Sequence, residues 1–156
     1  MRLAIVYLIF ICSFQASGQC NKSLVGHWQV VAAFNGEVYF NLKTDSTFIS
    51  SEIKGMYPDT ASQNRMIALA KDIYSATNFK FDKNGIYRMF LDTTFQIEGR
   101  YCYKVKHNIL QLTSKNSLGK DITENTISRL ENGLLYISKK QEDSEQTLDL
   151  ILERRL

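Results

Sequence analysis

The sequence predicts an all-β protein, an antiparallel up-and-down β-barrel of about eight to ten strands with one inserted α-helix. Three observations predict it. Apolar and polar residues alternate with period two along most of the chain after Leu24. Turn signals recur about every ten residues, the spacing of a β-meander. Helical spacing is confined to one stretch, just after the sole proline, Pro58.

The first strand opens at Leu24-Val25-Gly26-His27-Trp28 and runs to Phe34. Counting in twos puts Gly26, Trp28, Val30, Ala32 and Phe34 on one face, and His27, Gln29, Val31 and Ala33 on the other. Trp28 is the sole tryptophan. A glycine two residues before a large indole admits close approach of another segment, so Gly26 and Trp28 are expected to plug one end of a closed sheet.

Asn35-Gly36 is a hairpin signal into a return strand, Glu37 to Asn41, and Thr44-Asp45-Ser46 turns the chain into a strand from Thr47 to Ile53. After Pro58, Thr60-Ala61-Ser62-Gln63 reads as a capping box with Thr60 as N-cap. Met66, Leu69, Ala70, Ile73 and Tyr74 then recur at helical spacing, ending near Ser75 to Asn78. This helix either caps the barrel mouth or covers an outer face.

Phe79 and Phe81 alternate into the turn Asp82-Lys83-Asn84-Gly85, and Tyr87, Met89 and Leu91 alternate out of it. From Phe95 to Val105 the inward set is Phe95, Ile97, Gly99, Tyr101, Tyr103 and Val105, which leaves Cys102 facing outward. His107-Asn108 turns into Ile109 to Thr113, and a polar loop follows from Ser114 to Lys120. Asp121 to Leu130 alternates poorly, so its inner face is undetermined. Glu131-Asn132-Gly133 makes a hairpin into Leu134 to Ser138, Lys139 to Glu145 form the next turn, and Gln146 to Leu156 is the last strand.

That last strand places Arg154 in phase with Leu148, Leu150 and Leu152. A guanidinium on an apolar face is tolerated at a barrel mouth over an aromatic ring, and Trp28 is the expected ring. Stacking there would tie the first strand to the last and close the sheet. The alternative is a solvated basic tail shared with Arg155.

Residues 1–18 read as a signal peptide and residues 19–156 as one domain. Arg2 is followed by an apolar run of about twelve residues, too short for a membrane span of roughly twenty, ending in Ala16, Ser17 and Gly18. The expected location is periplasmic or secreted. Cys20 admits an outer-membrane lipoprotein as the minority alternative, although Ser17 and Gln19 depart from a lipidation signal, and only then is a membrane partner expected. Cys20 and Cys102 would meet an oxidising compartment, either as a disulfide or as separate thiols. Loss of Arg2 lowers the net charge from +3 to +2, too mild for a nucleic-acid partner.

Together these residues resemble the calycin superfamily. More narrowly, Leu24-x-Gly26-x-Trp28, Phe79-x-Phe81-x-x-x-Gly85-x-Tyr87 and Gly99-x-Tyr101-x-Tyr103 are similar to the lipocalin-like domain proteins exported by bacteria. The resemblance spans nearly all of the mature chain and implies an antiparallel barrel that binds a small apolar molecule inside. The chain departs from vertebrate lipocalins in placing its helix between early strands.

Chemical motifs are scarce. The two histidines have no partner at metal-ligand spacing, and there is no nucleophile elbow, phosphate-cradling loop or Cys-x-x-Cys, so no enzyme activity, cofactor or metal is expected. The inward aromatics Phe79, Phe81, Tyr87, Tyr101 and Tyr103 are the candidate ligand-binding residues, and Gly26, Trp28 and Arg154 the candidate closure residues. The expected function is binding or carriage of a small hydrophobic molecule. The alternative is an envelope protein-interaction or inhibitor module whose barrel is filled by its own side chains, with a protein partner recognised by loops such as Ser51 to Asp59 and Ser114 to Lys120.

Overall fold

The computed structural model describes residues 20–91, 96–140 and 146–155. The expected signal peptide, together with Cys12, Gln19, Phe95, Leu156 and the turn beyond Lys140, lies outside the described residues.

Ten strands form one antiparallel sheet: β1 (Gly26–Phe34), β2 (Val38–Asn41), β3 (Ser46–Ile49), β4 (Asn78–Phe81), β5 (Ile86–Phe90), β6 (Gln96–Lys104), β7 (Ile109–Lys115), β8 (Asp121–Glu131), β9 (Leu134–Lys140) and β10 (Thr147–Arg155). Strands β4 to β10 pair in sequence order as a meander, and β1 pairs with both β4 and β10. Eight strands therefore close a barrel, while β2 and β3 extend from β1 as an outlying hairpin.

Strand β1 is the fork of this arrangement. Gly26 to Gln29 pair with β4, whereas Ala32 to Phe34 pair with β2 along the same edge. Between them the register against β10 shifts: Val30 faces Leu152 and Ala32 faces Ile151, leaving Val31 as a bulge whose carbonyl accepts from Leu42 N at 2.8 Å. Strict alternation predicts Ala32 and Phe34 on the face of Trp28. The bulge reverses the phase, so Ala33, opposite Leu150, joins the core instead.

Two helices lie between β3 and β4. The sequence predicts a strand running to Ile53, but β3 stops at Ile49 and Ser50 caps α1 (Ser51–Met56), its hydroxyl accepting from Ile53 N. The longer helix, α2 (Thr60–Ala76), begins one residue earlier than a Thr60 cap implies. Asp59 is the N-cap, its carboxylate accepting from Ser62 N at 2.7 Å, and Gln63 Nε2 instead donates to the Tyr57 carbonyl at 2.7 Å. No residue of α2 is buried.

The turns follow their residue chemistry. Asn132 and Gly133, at φ 52° and 78°, join β8 to β9 in the left-handed pair that suits a tight hairpin. Asp82 Oδ1 accepts from Asn84 N and Ile86 N in the β4–β5 turn. Val105, expected inward at the end of a strand, lies instead in a single 3-10 turn, Val105–His107, and is exposed.

One end of the barrel is packed solid. Leu24, Trp28, Phe81, Tyr103, Leu110, Leu135 and Leu152 are almost wholly buried there. Complete burial of a side chain of this size contributes about 1.5 to 3 kcal/mol, so this cluster supplies much of the driving force for closing the sheet.

Candidate functional site

The closed end is sealed by the chain just before β1. Trp28 Nε1 donates to the Leu24 carbonyl at 2.7 Å, which folds Leu24 over the barrel floor. The guanidinium of Arg154 lies 4.8 Å from the centre of the Trp28 ring, and its Nη2 donates to the Ser23 carbonyl. Gly26 is required here by its backbone: at φ 140° it adopts a conformation that side chains rarely take, while the Arg154 side chain, 3.5 Å from where a Cβ would stand, is at ordinary contact distance. Outside the wall, Cys20 is disulfide-bonded to Cys102, and Asn21 N donates to the Tyr103 carbonyl. The thiol that lipidation would need is thus engaged in the bridge.

The five candidate aromatics divide into two groups. Phe81, Tyr101 and Tyr103 belong to the packed floor: the Phe81 and Tyr101 rings meet edge to face at 4.9 Å, and Tyr101 donates to the Asp82 carbonyl at 2.8 Å. They are not among the residues that line the cavity bordered by Phe79 and Tyr87. That cavity measures about 380 Å3, and Phe79 and Tyr87 form two of its walls. Its lower walls add Met89, Thr126, Ile137 and Leu150.

The rim of this cavity has two chemistries. On one side it is apolar, with Leu91, Ile97 and Leu148 joined by Ile73 and Tyr74 from α2. The Tyr74 ring is held by Phe40 of β2 at 5.4 Å, so the outlying hairpin steadies the helix over the mouth. Lys71 reaches back to Asp45 in the β2–β3 turn at 2.5 Å, a second tie between the same two elements. The helix thus reaches the rim with Ile73 and Tyr74.

On the other side, strands β7, β8 and β9 present Ser114, Glu124 and Lys139. Lys139 Nζ donates to Glu124 Oε2 at 2.8 Å, and both side chains are about one-third exposed, at 37% and 35%. Burial pushes the Tyr87 hydroxyl above the usual tyrosine value; its hydrogen bond with Ser114 and the Lys139 charge oppose that, and the Glu124 carboxylate adds to it. Among the described residues lining the cavity, Glu124 and Lys139 are the charged ones.

Sequence reasoning misses all three polar residues. Ser114 and Lys139, the first residues of an expected loop and an expected turn, lie in strand, since β7 continues to Lys115 and β9 to Lys140. In β8 the inner face is the polar one, Glu124, Thr126 and Ser128, while Ile127 points outward and is 69% exposed. The signal was present: carrying the alternation of Leu135 and Ile137 one step further puts Lys139 inside. Among the described residues no group of three or more His, Cys, Asp or Glu is placed to hold a metal ion.

With this geometry in hand, a crystal structure of a DUF4847 family protein from Bacteroides vulgatus is similar, at a TM-score of 0.52. The alignment covers 84% of this chain and 94% of that one, at 14% identity. The likeness is one of fold. It places the barrel beside an independently solved barrel of nearly the same extent and says nothing of a ligand. No protein-family model matches the chain, and no curated protein matches it.

Proposed function

We propose that this chain is an exported, lipocalin-like binding protein that holds a small, largely apolar molecule inside its barrel. One observation carries the reading: a mainly apolar cavity near 380 Å3 opens among the inward-facing residues of the barrel strands. That volume falls toward the lower end of the range usual for small-molecule sites, roughly 300 to 1,000 Å3. Eight strands can be filled completely by their own side chains, and the opposite end of this barrel is. Phe79, Tyr87 and Ile137 are the walls the ligand would touch, and the action is burial without covalent chemistry. Export is supported by the apolar N-terminal run and by the Cys20–Cys102 disulfide, which suits an oxidising compartment.

Mass spectra of protein purified without detergent from its own envelope test this. A native mass exceeding the denatured mass by a discrete small molecule is the expected result. Equal masses, together with no uptake of the neutral dye 1-N-phenylnaphthylamine, would overturn it.

A second reading, an envelope protein-interaction module, is favoured by one feature. Leu69 and Ile73 of α2 are 60% and 50% exposed, and Phe48 and Met56 nearby are also exposed. A co-purifying protein partner released by Leu69→Lys would support that reading.

A further inference from the structure

The polar side of the mouth constrains what the head of a bound molecule can be, and this step rests on the binding function proposed above. Two neutral hydroxyls of the cavity already donate to protein. Thr126 Oγ1 donates to the Leu110 carbonyl at 3.0 Å, and Thr77 Oγ1 to the Ile73 carbonyl at 2.9 Å. The charged hydrogen-bonding groups at the mouth are the two members of the ion pair. An ammonium carries three donors, of which Glu124 Oε2 takes one, and the carboxylate has a second oxygen.

The pair is also electrically complete. A ligand carboxylate arriving at a free donor of Lys139 would bring two negative charges together on a partly desolvated rim. A ligand ammonium arriving at Glu124 meets the mirror-image problem with Lys139. Separating such a pair leaves a partly buried charge uncompensated, which costs more than the new contact returns. An uncharged head can dock without opening it.

We propose that the site takes a net-neutral amphiphile with an apolar tail and a head that both donates and accepts hydrogen bonds, such as an amide or hydroxyl. Lys139 donates to the acceptor of that head and Glu124 accepts from its donor, while the tail lies against Phe79 and Ile137. The intact pair makes the site discriminate against fatty carboxylates and fatty amines alike.

The experiment is displacement of 1-N-phenylnaphthylamine by decanamide, decanoate and decylammonium at neutral pH, on wild type, Glu124→Gln, Lys139→Gln and the exchanged pair Glu124→Lys/Lys139→Glu. Comparing variants ligand by ligand cancels the different hydration of the three heads. In Glu124→Gln the affinity ratio of decanoate to decanamide is expected to rise by about tenfold. In Lys139→Gln the ratio of decylammonium to decanamide should rise by a similar factor. The exchanged pair should keep the wild-type order, and its circular dichroism shows whether the charge changes leave the barrel folded. If folded single variants keep wild-type ratios, or wild type takes decanoate as tightly as decanamide, the proposal is overturned while the binding function stands. If wild type takes up neither the dye nor any of the three ligands, both fall together.

Discussion

Gly99 of β6 lies directly beneath the ring of Tyr87 on β5, its partner in the strand register. A Cβ at Gly99 would stand 2.7 Å from Tyr87 Cε1 and 2.2 Å from the Thr113 carbonyl oxygen. The first contact is with a ring, and the second is with backbone of β7, which cannot swing aside. The missing side chain is therefore what leaves room for the tyrosine ring over β6. Gly99→Ala is expected to destabilise the protein by about 1 to 3 kcal/mol, the usual range for overpacking a filled site. It should also weaken dye uptake by the cavity, because Tyr87 is one of its walls. Urea denaturation and dye titration of the same sample check both effects.

The contact of Arg154 with Trp28 joins the last strand to the first. A guanidinium over an indole contributes roughly 0.5 to 2 kcal/mol, and its hydrogen bond to the Ser23 carbonyl adds to that. Arg154→Ala should therefore lower the urea midpoint clearly. Glu153→Ala, which removes only an exposed partner of Lys43, should cost less than about 1 kcal/mol of stability. Equal losses in the two variants would show that the stacked arginine does not hold the closure.

The disulfide closes a sequence separation of 82 residues between the segment before β1 and the middle of β6. Bridging so long a loop restricts the unfolded chain, and its removal is expected to cost about 2 to 5 kcal/mol. Thermal denaturation with and without reductant, compared with Cys102→Ser under both conditions, measures it. The variant should match the reduced wild type and ignore the reductant.

Stability should also fall at alkaline pH. Burial raises the hydroxyls of Tyr74, Tyr87 and Tyr101 above their ordinary value of 10.0, with Asp82 adding to the rise at Tyr101. The folded state therefore keeps protons that the unfolded chain releases. The stabilisation is fully present below pH 10, where both states are protonated, and is lost as pH climbs through the folded-state values. Unfolding free energy measured above pH 10 should decline, and less steeply in Tyr87→Phe.

How far the chain could be read in advance turns on whether neighbouring strands leave a local imprint. Hairpins such as Asn132-Gly133 carry their geometry in their own residues, and the meander with its inserted helix was legible from them. The stacking of Arg154 on Trp28 was legible too, because phase along two strands brings the pair to one face. The bulge at Val31 was not, since nothing in Val30-Val31-Ala32 distinguishes a bulge from continued alternation. The polar rim was hidden for a different reason. Glu124 and Lys139 satisfy one another across two strands, so each read alone resembles a solvated surface residue.

Strand β8 turns that lesson into a measurement. Its isoleucine Ile127 looks like a core residue in the sequence but stands 69% exposed, whereas Leu135 on β9 is fully buried. Ile127→Lys should change stability by no more than about 0.5 kcal/mol. Leu135→Ala should cost about 2 to 5 kcal/mol, as expected for a large-to-small change in a packed core.

Closure of this barrel by its first and last strands also sets the order in which the molecule can be made. Strands β4 to β9 can pair with neighbours as they emerge, but β1 finds its second long partner only when Thr147–Arg155 has been synthesised. Until then β1 and β9 each present an unpaired edge, the kind of surface on which strands from other chains add. Contacts between the two ends of a chain are the slowest to form, so the final pairing should govern the folding rate. The Cys20–Cys102 bridge, which ties the segment before β1 to β6, locks the closed barrel wherever the chain folds under oxidising conditions.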